Sequence, residues 1–557
     1  MTTFTLERVK HIHFIGIGGA GLSAIARVML ERGFEVSGSD LNPGPATDAL
    51  AADGATVYKG HRAAYVRGAD VVVRSSAIPD DNPEVVEARS RGVPVLRRVD
   101  FLPHLLKDRV NVAVAGTHGK TTTTGMIAHV LSSAGLDPGF IIGGNVRDLV
   151  GINAHHGGGP IFVIEADEYD QMFLGTNPQV AVITNIEHDH PDQFADRGAV
   201  AAAFAAFVLH LPEDGVLVAC ADDVGARALG NVWRAAGRQT RLYGVEHLRA
   251  DWAAVGLAAN EDGGTDFVVR RWGRALGSVR LRVPGVHNVR NALAALAVAD
   301  YFGVLFEEAE AALKAFQGVD RRFQVRGQKA GVTVIDDYAH HPTAIRATLA
   351  AARARYPGRR VWAVWQPHTF TRTRALLDDF AAAFGEADRV IVTDIFASRE
   401  HDSLGITGAD VAARIAQEHP WARFVGALPA VVEKLAAEVA EGDVVIVMSA
   451  GNAVEVSGAL LERLAARAHE ALAQEDTDNP FMDLSGYEEF EDPLAEGFDE
   501  ESALIAEFGD IPKDTIKAIR RYAREHKMPI TRDLVERVQQ GLETLDGEAG
   551  ADGEEAG

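Results

Sequence analysis

Cys220 is the only cysteine among 557 residues. One thiol closes no internal disulfide and builds no cysteine-rich zinc site, so a disulfide scaffold is excluded. Long hydrophobic runs are missing too. The longest uninterrupted one, Ala199 to Leu209, has 11 residues, short of the ~18–20 that span a bilayer. The opening residues lack the basic-then-apolar pattern of a secretory signal. Positive charge is in deficit: 55 Lys and Arg stand against 79 Asp and Glu, a net charge of −24. Non-specific nucleic-acid binding needs a basic surface, so that class is disfavoured. These absences predict a cytoplasmic protein with no nucleic-acid partner and no membrane insertion. What remains is ordinary for a globular chain, 47% hydrophobic and 24% charged. At ~150 residues per domain, its length predicts about three to four domains.

The negative charge is concentrated at one end. From Glu475 onward there are 24 acidic and 8 basic residues, which carry two thirds of the net charge. The composition predicts a flexible acidic linker and a disordered end. Between them a helical pair is expected from about Pro512 to Leu545, broken near Met528 and Pro529. This extension reads as a dispensable solvated tail, or more sharply as a docking module for a protein partner. No repeat of solenoid period is present.

The body alternates short apolar runs with Ala/Leu-rich helical stretches, the pattern of parallel α/β domains. Ligands of such sheets bind beyond the carboxyl ends of the strands. The residues that follow each apolar run are therefore the candidates for function.

HIHFIGI is followed by Gly16, Ile17, Gly18, Gly19, Ala20 and Gly21 and then by an amphipathic helix. This is G-x-G-x-x-G between a strand and a helix, where a diphosphate can approach the helix N-terminus. A second strand ends at Asp40, a position that commonly meets a ribose hydroxyl. A third ends in Ser75 and Ser76. The bland alternative is a turn that only packs helix on strand. The motif indicates a nucleotide diphosphate; it does not specify NAD.

The strand NVAVA leads into Gly116, Thr117, His118, Gly119, Lys120, Thr121 and Thr122, with a helix behind. Backbone N–H groups of such a loop cradle phosphates, the lysine reaches the β- and γ-phosphates, and the next hydroxyl binds Mg²⁺. The usual first glycine of a P-loop would fall on Val114, so the loop is a shortened variant. PIFVIEADEYD then delivers Glu165, Asp167 and Glu168. QVAVITNIEHDHPD delivers Asn185, Glu187, His188, Asp189 and His190. Carboxylates at strand ends near a P-loop suit Mg²⁺. A surface role is favoured for His188, and a metal or phosphoryl contact for His190. Asn288 and Asn291 open a helix, where they either cap it or read an adenine edge.

Further on, VTVIDDYAHHP gives Asp336, Asp337, Tyr338, His340 and His341. RVWAVWQPHTFTRTR gives Gln366, His368, Arg372 and Arg374. Later strands give Asp394, Ser398, Arg399, Ser449 and Asn452. Arginine is rarely buried unpaired, and its fork binds carboxylates bidentately. A second substrate bearing a carboxylate is the natural reading.

GIGGAG, GTHGKTTTT, EADE, TNIEHDH, HNVRNALAA, GVDRRFQ, DDYAHHPT and QPHTFTRTR occur here in the order found in the Mur ligases of peptidoglycan synthesis. The chain resembles that family over roughly residues 8 to 465. GTHGKTTTT and QPHTFTRTR are most similar to its alanine-adding branch. The resemblance implies a three-domain α/β fold. A Rossmann-like UDP-sugar domain would span 1–108, a P-loop-type central ATPase 109–319, and a Rossmann-like amino-acid domain 320–466. Residues 467–557 would be the acidic extension. It implies that the carboxylate of UDP-N-acetylmuramate takes the γ-phosphoryl of ATP, and that L-alanine then displaces phosphate to form an amide. Carried over by motif, Thr121 and Glu165 would hold one Mg²⁺ and His190 a second. Asn288 and Asn291 would contact adenine. Tyr338, His340, His368 and Arg372 would line the amino-acid site. Lys120, Glu165, His190, His340 and Arg372 would be the catalytic set.

Several positions depart from the family pattern. No lysine occurs between Lys120 and Lys314, so the carbamylated lysine of some relatives has no counterpart in the central domain. Thr369 stands where arginine is frequent, which shifts carboxylate binding toward Arg372 and Arg374. Ser449 replaces a frequent glycine. The rival readings are a muropeptide-recycling ligase that joins a whole peptide, an NAD-dependent oxidoreductase, and a nucleotide-binding scaffold working through its tail.

Overall fold

Three sheets, each built largely from strands buried on both faces, organise the chain. The computed structural model describes residues 4–149 and 151–477, with side chains to residue 467. Beyond the end of the last helix, Glu455–Thr477, the acidic extension and its expected helical pair lie outside the described residues. Among the described residues, no helix is long and apolar enough to cross a membrane.

The first sheet has five parallel strands in the order 3-2-1-4-5. Its central strand, His11–Ile15, lies between Glu35–Asp40 and Val71–Arg74. The chain reverses direction across the sheet at that strand, which opens a crevice at its carboxyl end. Alternation along HIHFI puts Ile12 and Phe14 on one face and His11 and His13 on the other. His13 is fully buried. Its ring bonds Ser37 Oγ at 2.7 Å and Glu84 Oε2 at 2.9 Å. Glu84, also buried, accepts from Ser39 Oγ at 2.7 Å and from the Arg62 N–H at 3.0 Å. Burial alone would raise the Glu84 carboxyl, but these partners outweigh it and hold it below its usual value.

The second sheet has ten strands. Its parallel centre carries the P-loop strand Val110–Ala115 between Val180–Ile183 and Ile161–Glu165. Runs such as VAVI and IFVI are apolar throughout because helices cover both faces. Both edges are antiparallel, which the α/β alternation of the sequence did not anticipate. On one side Trp252–Ala259, Thr265–Arg271 and Arg274–Leu281 form a meander. On the other, Ile152–His155 pairs back on Gly139–Val146.

The third sheet has six strands, of which only Gln324–Lys329 runs antiparallel to its neighbour. Val332–Asp337, Val444–Met448 and Val361–Trp365 lie side by side and parallel at its centre. Trp365 anchors one face, fully buried against Phe380 and Phe384. Burying a side chain of this kind contributes about 1.5–3 kcal/mol.

Truncating Glu84 tests the first sheet's polar core. Glu84→Ala leaves His13 and Ser39 buried without their acceptor, at a cost of about 1–3 kcal/mol for each group left unpaired. Glu84→Gln keeps an acceptor and should lose less. The measurement is the first thermal unfolding transition of each variant, and equal midpoints for Glu84→Ala and the parent would contradict the role assigned to this carboxylate.

Candidate active site

The P-loop strand leads into Gly116, whose φ of +143° suits only glycine, and Gly119 has a φ of +81°. A Cβ at Gly116 would collide with Thr184 Oγ1, and one at Gly119 would stand 2.8 Å from Asn291 Oδ1. The loop is thus fixed between the neighbouring strand and the helix that opens at Val286. The following helix, Lys120–Ser133, points its N-terminus into a cleft of about 1070 Å³.

The neighbouring strands bring carboxylates to this terminus. Lys120 Nζ donates to Gly116 O at 2.6 Å and to Glu168 Oε2 at 2.7 Å, with Asp167 Oδ1 at 3.9 Å. Burial works against the ammonium, but Glu168 and Asp167 outweigh it and raise the lysine above its ordinary value. Thr121 Oγ1 donates to Glu165 Oε1 at 3.0 Å, and Gly143 N donates to Glu165 Oε2 at 2.6 Å. Burial raises the Glu165 carboxyl. Glu168 Oε1 is buried with no hydrogen-bond partner and lies 3.9 Å from His190 Nε2. Asp167, Glu168 and His190 each offer a donor atom within 4.8 Å of the others. The candidate metal residues therefore fall into two adjoining groups. Thr121 stands with Glu165, whereas His190 stands with Asp167 and Glu168.

The third sheet closes the cleft from the other side. Arg372 is 4% exposed and reaches across to the central domain. Its Nε donates to Asp189 Oδ1 at 2.6 Å, and its Nη2 lies 3.4 Å from His190 Nδ1. The same Asp189 oxygen accepts the His190 N–H at 2.7 Å. Burial would raise Asp189, but Arg372 and His190 hold it well below the usual carboxylate range. His190 takes a φ of +55° and Thr369, just before the Arg372 helix, +65°. Non-glycine residues in this region are strained, and such strain clusters at functional sites. Glu400 accepts the N–H groups of Phe370 and Thr371 and so caps that short helix. His368 Nδ1 lies 3.1 Å from Arg372 Nη1. His340 bonds Tyr338 O through Nδ1 at 2.8 Å, and its ring is 6.0 Å from that of His368.

Other residues singled out in the sequence take the following places. Asn291 accepts from Thr123 Oγ1 at 3.0 Å and donates to Asn288 Oδ1 at 3.1 Å; Asn288 in turn donates to Pro284 O at 2.7 Å. Both asparagines line the cleft while bracing the start of the P-loop helix. Gly18 and Ala20 line it as well. Asp40 spends its carboxylate on Gly18 N at 2.9 Å and Asn42 N at 3.0 Å. Gly16 and Gly19 shape the turn behind, where Gly19 N donates to Gly16 O at 3.1 Å. Gly21 packs under Arg98. Ser75 and Ser76 stand at the end of the neighbouring strand and do not line the cleft. Arg374 is exposed, donates to Leu404 O at 3.4 Å and stays off the lining as well. Arg372 is the arginine of that motif that enters the site. Ser449 Oγ donates to Gln366 Oε1 at 2.7 Å, a bond that glycine could not make.

Arg322 is the residue that the sequence reading passed over. It lies within GVDRRFQ, donates to Thr121 Oγ1 at 3.0 Å and stacks 4.9 Å from the Tyr338 ring. It thereby links the segment that leads into the third sheet to the first turn of the P-loop helix. The only sequence signal was an arginine pair; both line the cleft, and spacing alone does not say that Arg322 is the one that reaches Thr121.

Several imidazoles of this region are held neutral. Burial, aided by nearby arginine charge, pushes His368 and His287 down to about 4. Burial and the neighbouring His118 push His341 down to about 3. In the unfolded chain each returns to about 6.5. Below pH 6.5 the unfolded state therefore binds more protons, and stability falls with pH from there toward about pH 4. The thermal midpoint should be flat between pH 7 and 8 and should drop steadily below 6.5. His287→Asn should flatten that drop; a midpoint unchanged from pH 7 to pH 4.5 would contradict the assignment.

Three family models match in succession. "Mur ligase family, catalytic domain" covers residues 11–110, "Mur ligase middle domain" 114–299, and "Mur ligase, glutamate ligase domain" 321–451. A UDP-N-acetylmuramate–L-alanine ligase of Renibacterium salmoninarum is 46% identical over 468 residues, 84% of this chain and 98% of its own. One of Solibacter usitatus is 43% identical over 458 residues, 82% and 96%. The crystal structure of a UDP-N-acetylmuramate-alanine ligase from Thermotoga maritima aligns with a TM-score of 0.70 at 31% identity, over 82% of this chain and 99% of that one. A murein peptide ligase from Psychrobacter arcticus aligns at 0.61 and 28%, over the same shares.

Proposed function

The chain belongs to the Mur ligase family, and from that premise we propose that it is the ATP-dependent ligase that joins L-alanine to the carboxylate of UDP-N-acetylmuramate in cell-wall precursor synthesis. The observation that carries the reading is the convergence on one cleft of a P-loop lysine, the carboxylates of the flanking strands and an arginine from the third sheet. Two scaffold-level rivals explain less. An NAD-dependent oxidoreductase has no use for Lys120 paired with Glu168 beside Glu165. A non-catalytic scaffold has no use for the strained His190 held by Arg372.

The muramate carboxylate attacks the γ-phosphorus of ATP, and ADP leaves. The alanine amine then attacks the resulting acyl phosphate, the amide forms, and phosphate departs. Phosphoryl transfer of this kind is mostly positioning and charge stabilisation. Lys120, freed from Glu168, would face the β- and γ-phosphates, while the amides at the start of its helix supply fixed donors. Mg²⁺ fits the oxygen-rich donors present: Thr121 and Glu165 on one side, and Asp167, Glu168 and His190 on the other, where an orphaned carboxylate oxygen is buried. Bound there it would offset phosphate charge. Asn288 and Asn291 would frame the adenine end. Gly18, Ala20 and the neighbouring turn would receive the UDP-sugar.

Arg372 would keep His190 oriented and present the rest of its fork to the alanine carboxylate. His340 donates from Nδ1 to Tyr338 O, so its neutral ring presents Nε2 as an acceptor for the proton shed by the amine. Nucleotide and amino-acid substrates and a single cysteine suit a cytoplasmic setting. A protein partner for the acidic extension remains the sharper reading of that segment's charge.

Phosphate release with ATP, Mg²⁺ and UDP-N-acetylmuramate tests the acceptor directly. L-Alanine should support turnover and a muropeptide tripeptide should not. Lys120→Ala should abolish it, because it removes the ammonium that would face the β- and γ-phosphates; unchanged turnover would sink the P-loop assignment. Release with the tripeptide alone would make the chain a recycling ligase.

A further inference from the structure

One buried imidazole nitrogen at the P-loop, His118 Nε2, lacks any hydrogen-bond partner, and the ring of His341, at the start of helix Pro342–Arg355, lies beside it. Their ring centroids are 4.5 Å apart. His341 is 5% exposed. Glu187, at the end of the strand beside the P-loop, points one oxygen at both rings. Its Oε2 lies 3.7 Å from His118 Nε2 and 3.9 Å from His341 Nδ1. One donor atom from each of the three lies within 4.8 Å of the other two. A buried polar atom left without a partner costs free energy, so the unpartnered His118 Nε2, aimed at a carboxylate beside a second imidazole, calls for an explanation.

We propose that His118, Glu187 and His341 form a binding site for a borderline transition-metal ion, with Zn²⁺ the expected occupant, that clamps the P-loop to the C-terminal domain.

The donor set distinguishes this site from the nucleotide's metal site. Two imidazoles and one carboxylate are zinc ligands, whereas Mg²⁺ takes oxygen. In a tetrahedral zinc site with bonds of about 2.0–2.1 Å, donors sit about 3.3–3.4 Å apart. The two edges to the carboxylate, 3.7 and 3.9 Å, need a closure of a few tenths of an ångström, and the edge between the imidazoles lies within 4.8 Å. The fourth position is left for water or a phosphate oxygen.

Protonation also favours the ion. Burial would raise the Glu187 carboxyl, but the His118 ring and the Thr343 hydroxyl outweigh it and hold it at about 2. Burial pushes His341 down to about 3. At neutral pH, then, the carboxylate is already ionised and His341 already neutral, and binding displaces no proton from either. His341 Nδ1 would give up one long contact, 3.3 Å from Thr343 N. The bond from Thr343 Oγ1 to Glu187 Oε2, 2.7 Å, already joins the two domains here and would orient the carboxylate.

An ion at this place would immobilise the loop that has to accept phosphates, so occupancy should slow turnover. That consequence rests on the loop being the ATP site; the binding itself does not.

The experiment uses the full chain, stripped with chelator and dialysed against Zn²⁺ in millimolar Mg²⁺. The variants are His341→Asn, in which asparagine keeps an acceptor for the helix N-cap, and Glu187→Gln, which keeps the Thr343 bond. Each variant should retain one Zn²⁺ fewer per chain than the parent, or bind it about tenfold or more weakly. Zn²⁺ should raise the thermal midpoint of the parent and not of the variants. The zinc concentration that halves phosphate release should rise in parallel. A parent that retains no zinc under excess Mg²⁺ would overturn the proposal, as would variants that both match its stoichiometry and affinity.

Discussion

Everything in the cleft depends on the pairing of Lys120 with Glu168. An ammonium buried at a helix N-terminus opposes both desolvation and the positive end of the helix dipole. It stays charged because the strand beside it delivers Glu168 at 2.7 Å and Asp167 at 3.9 Å. Glu168 is itself 2% exposed and would be as costly alone. The pair therefore holds the site in readiness. An incoming phosphate can replace the carboxylate on the lysine, and the released carboxylate then stands beside Asp167 and His190. On the proposed function, one exchange of partners would prepare both the phosphate cradle and a cation site.

The second constraint is the buried ion pair of Arg372 with Asp189, which belongs to two domains. Removing either partner would strand a charge away from water, a loss of about 3–5 kcal/mol. Asp189 also holds the backbone of His190 in its left-handed conformation, through the N–H bond at 2.7 Å. The domain of the third sheet is thereby linked to His190 through one carboxylate. Arg322 makes a parallel link from the segment before the third sheet to Thr121. Through these two arginines, the approach of the third sheet bears on the geometry of the second.

Much of this could be read from the sequence, for a physical reason. The P-loop, the strand-end acids and the alternation of strand and helix are contiguous in the chain, so local spacing reports them. The family resemblance then supplied the order of domains, and the three-sheet architecture agrees with it. What escaped was set by pairing at long range. Nothing local to Asp189 or Glu168 marks them as partners of Arg372 and Lys120, 183 and 48 residues away. Arg374 sits two residues from Arg372, yet it turns outward because the short helix capped by Glu400 buries only one of the two. The antiparallel edges of the central sheet were likewise hidden behind a dominant α/β pattern.

The central claim is that the muramate carboxylate becomes an acyl phosphate before the amine arrives. Its most direct test follows oxygen. UDP-N-acetylmuramate labelled with ¹⁸O in the carboxylate is turned over with ATP and L-alanine, and the released phosphate is analysed by mass. The account requires one labelled oxygen in each phosphate, transferred from the carboxylate when the amide forms. Phosphate free of label, released in step with amide formation, would contradict it.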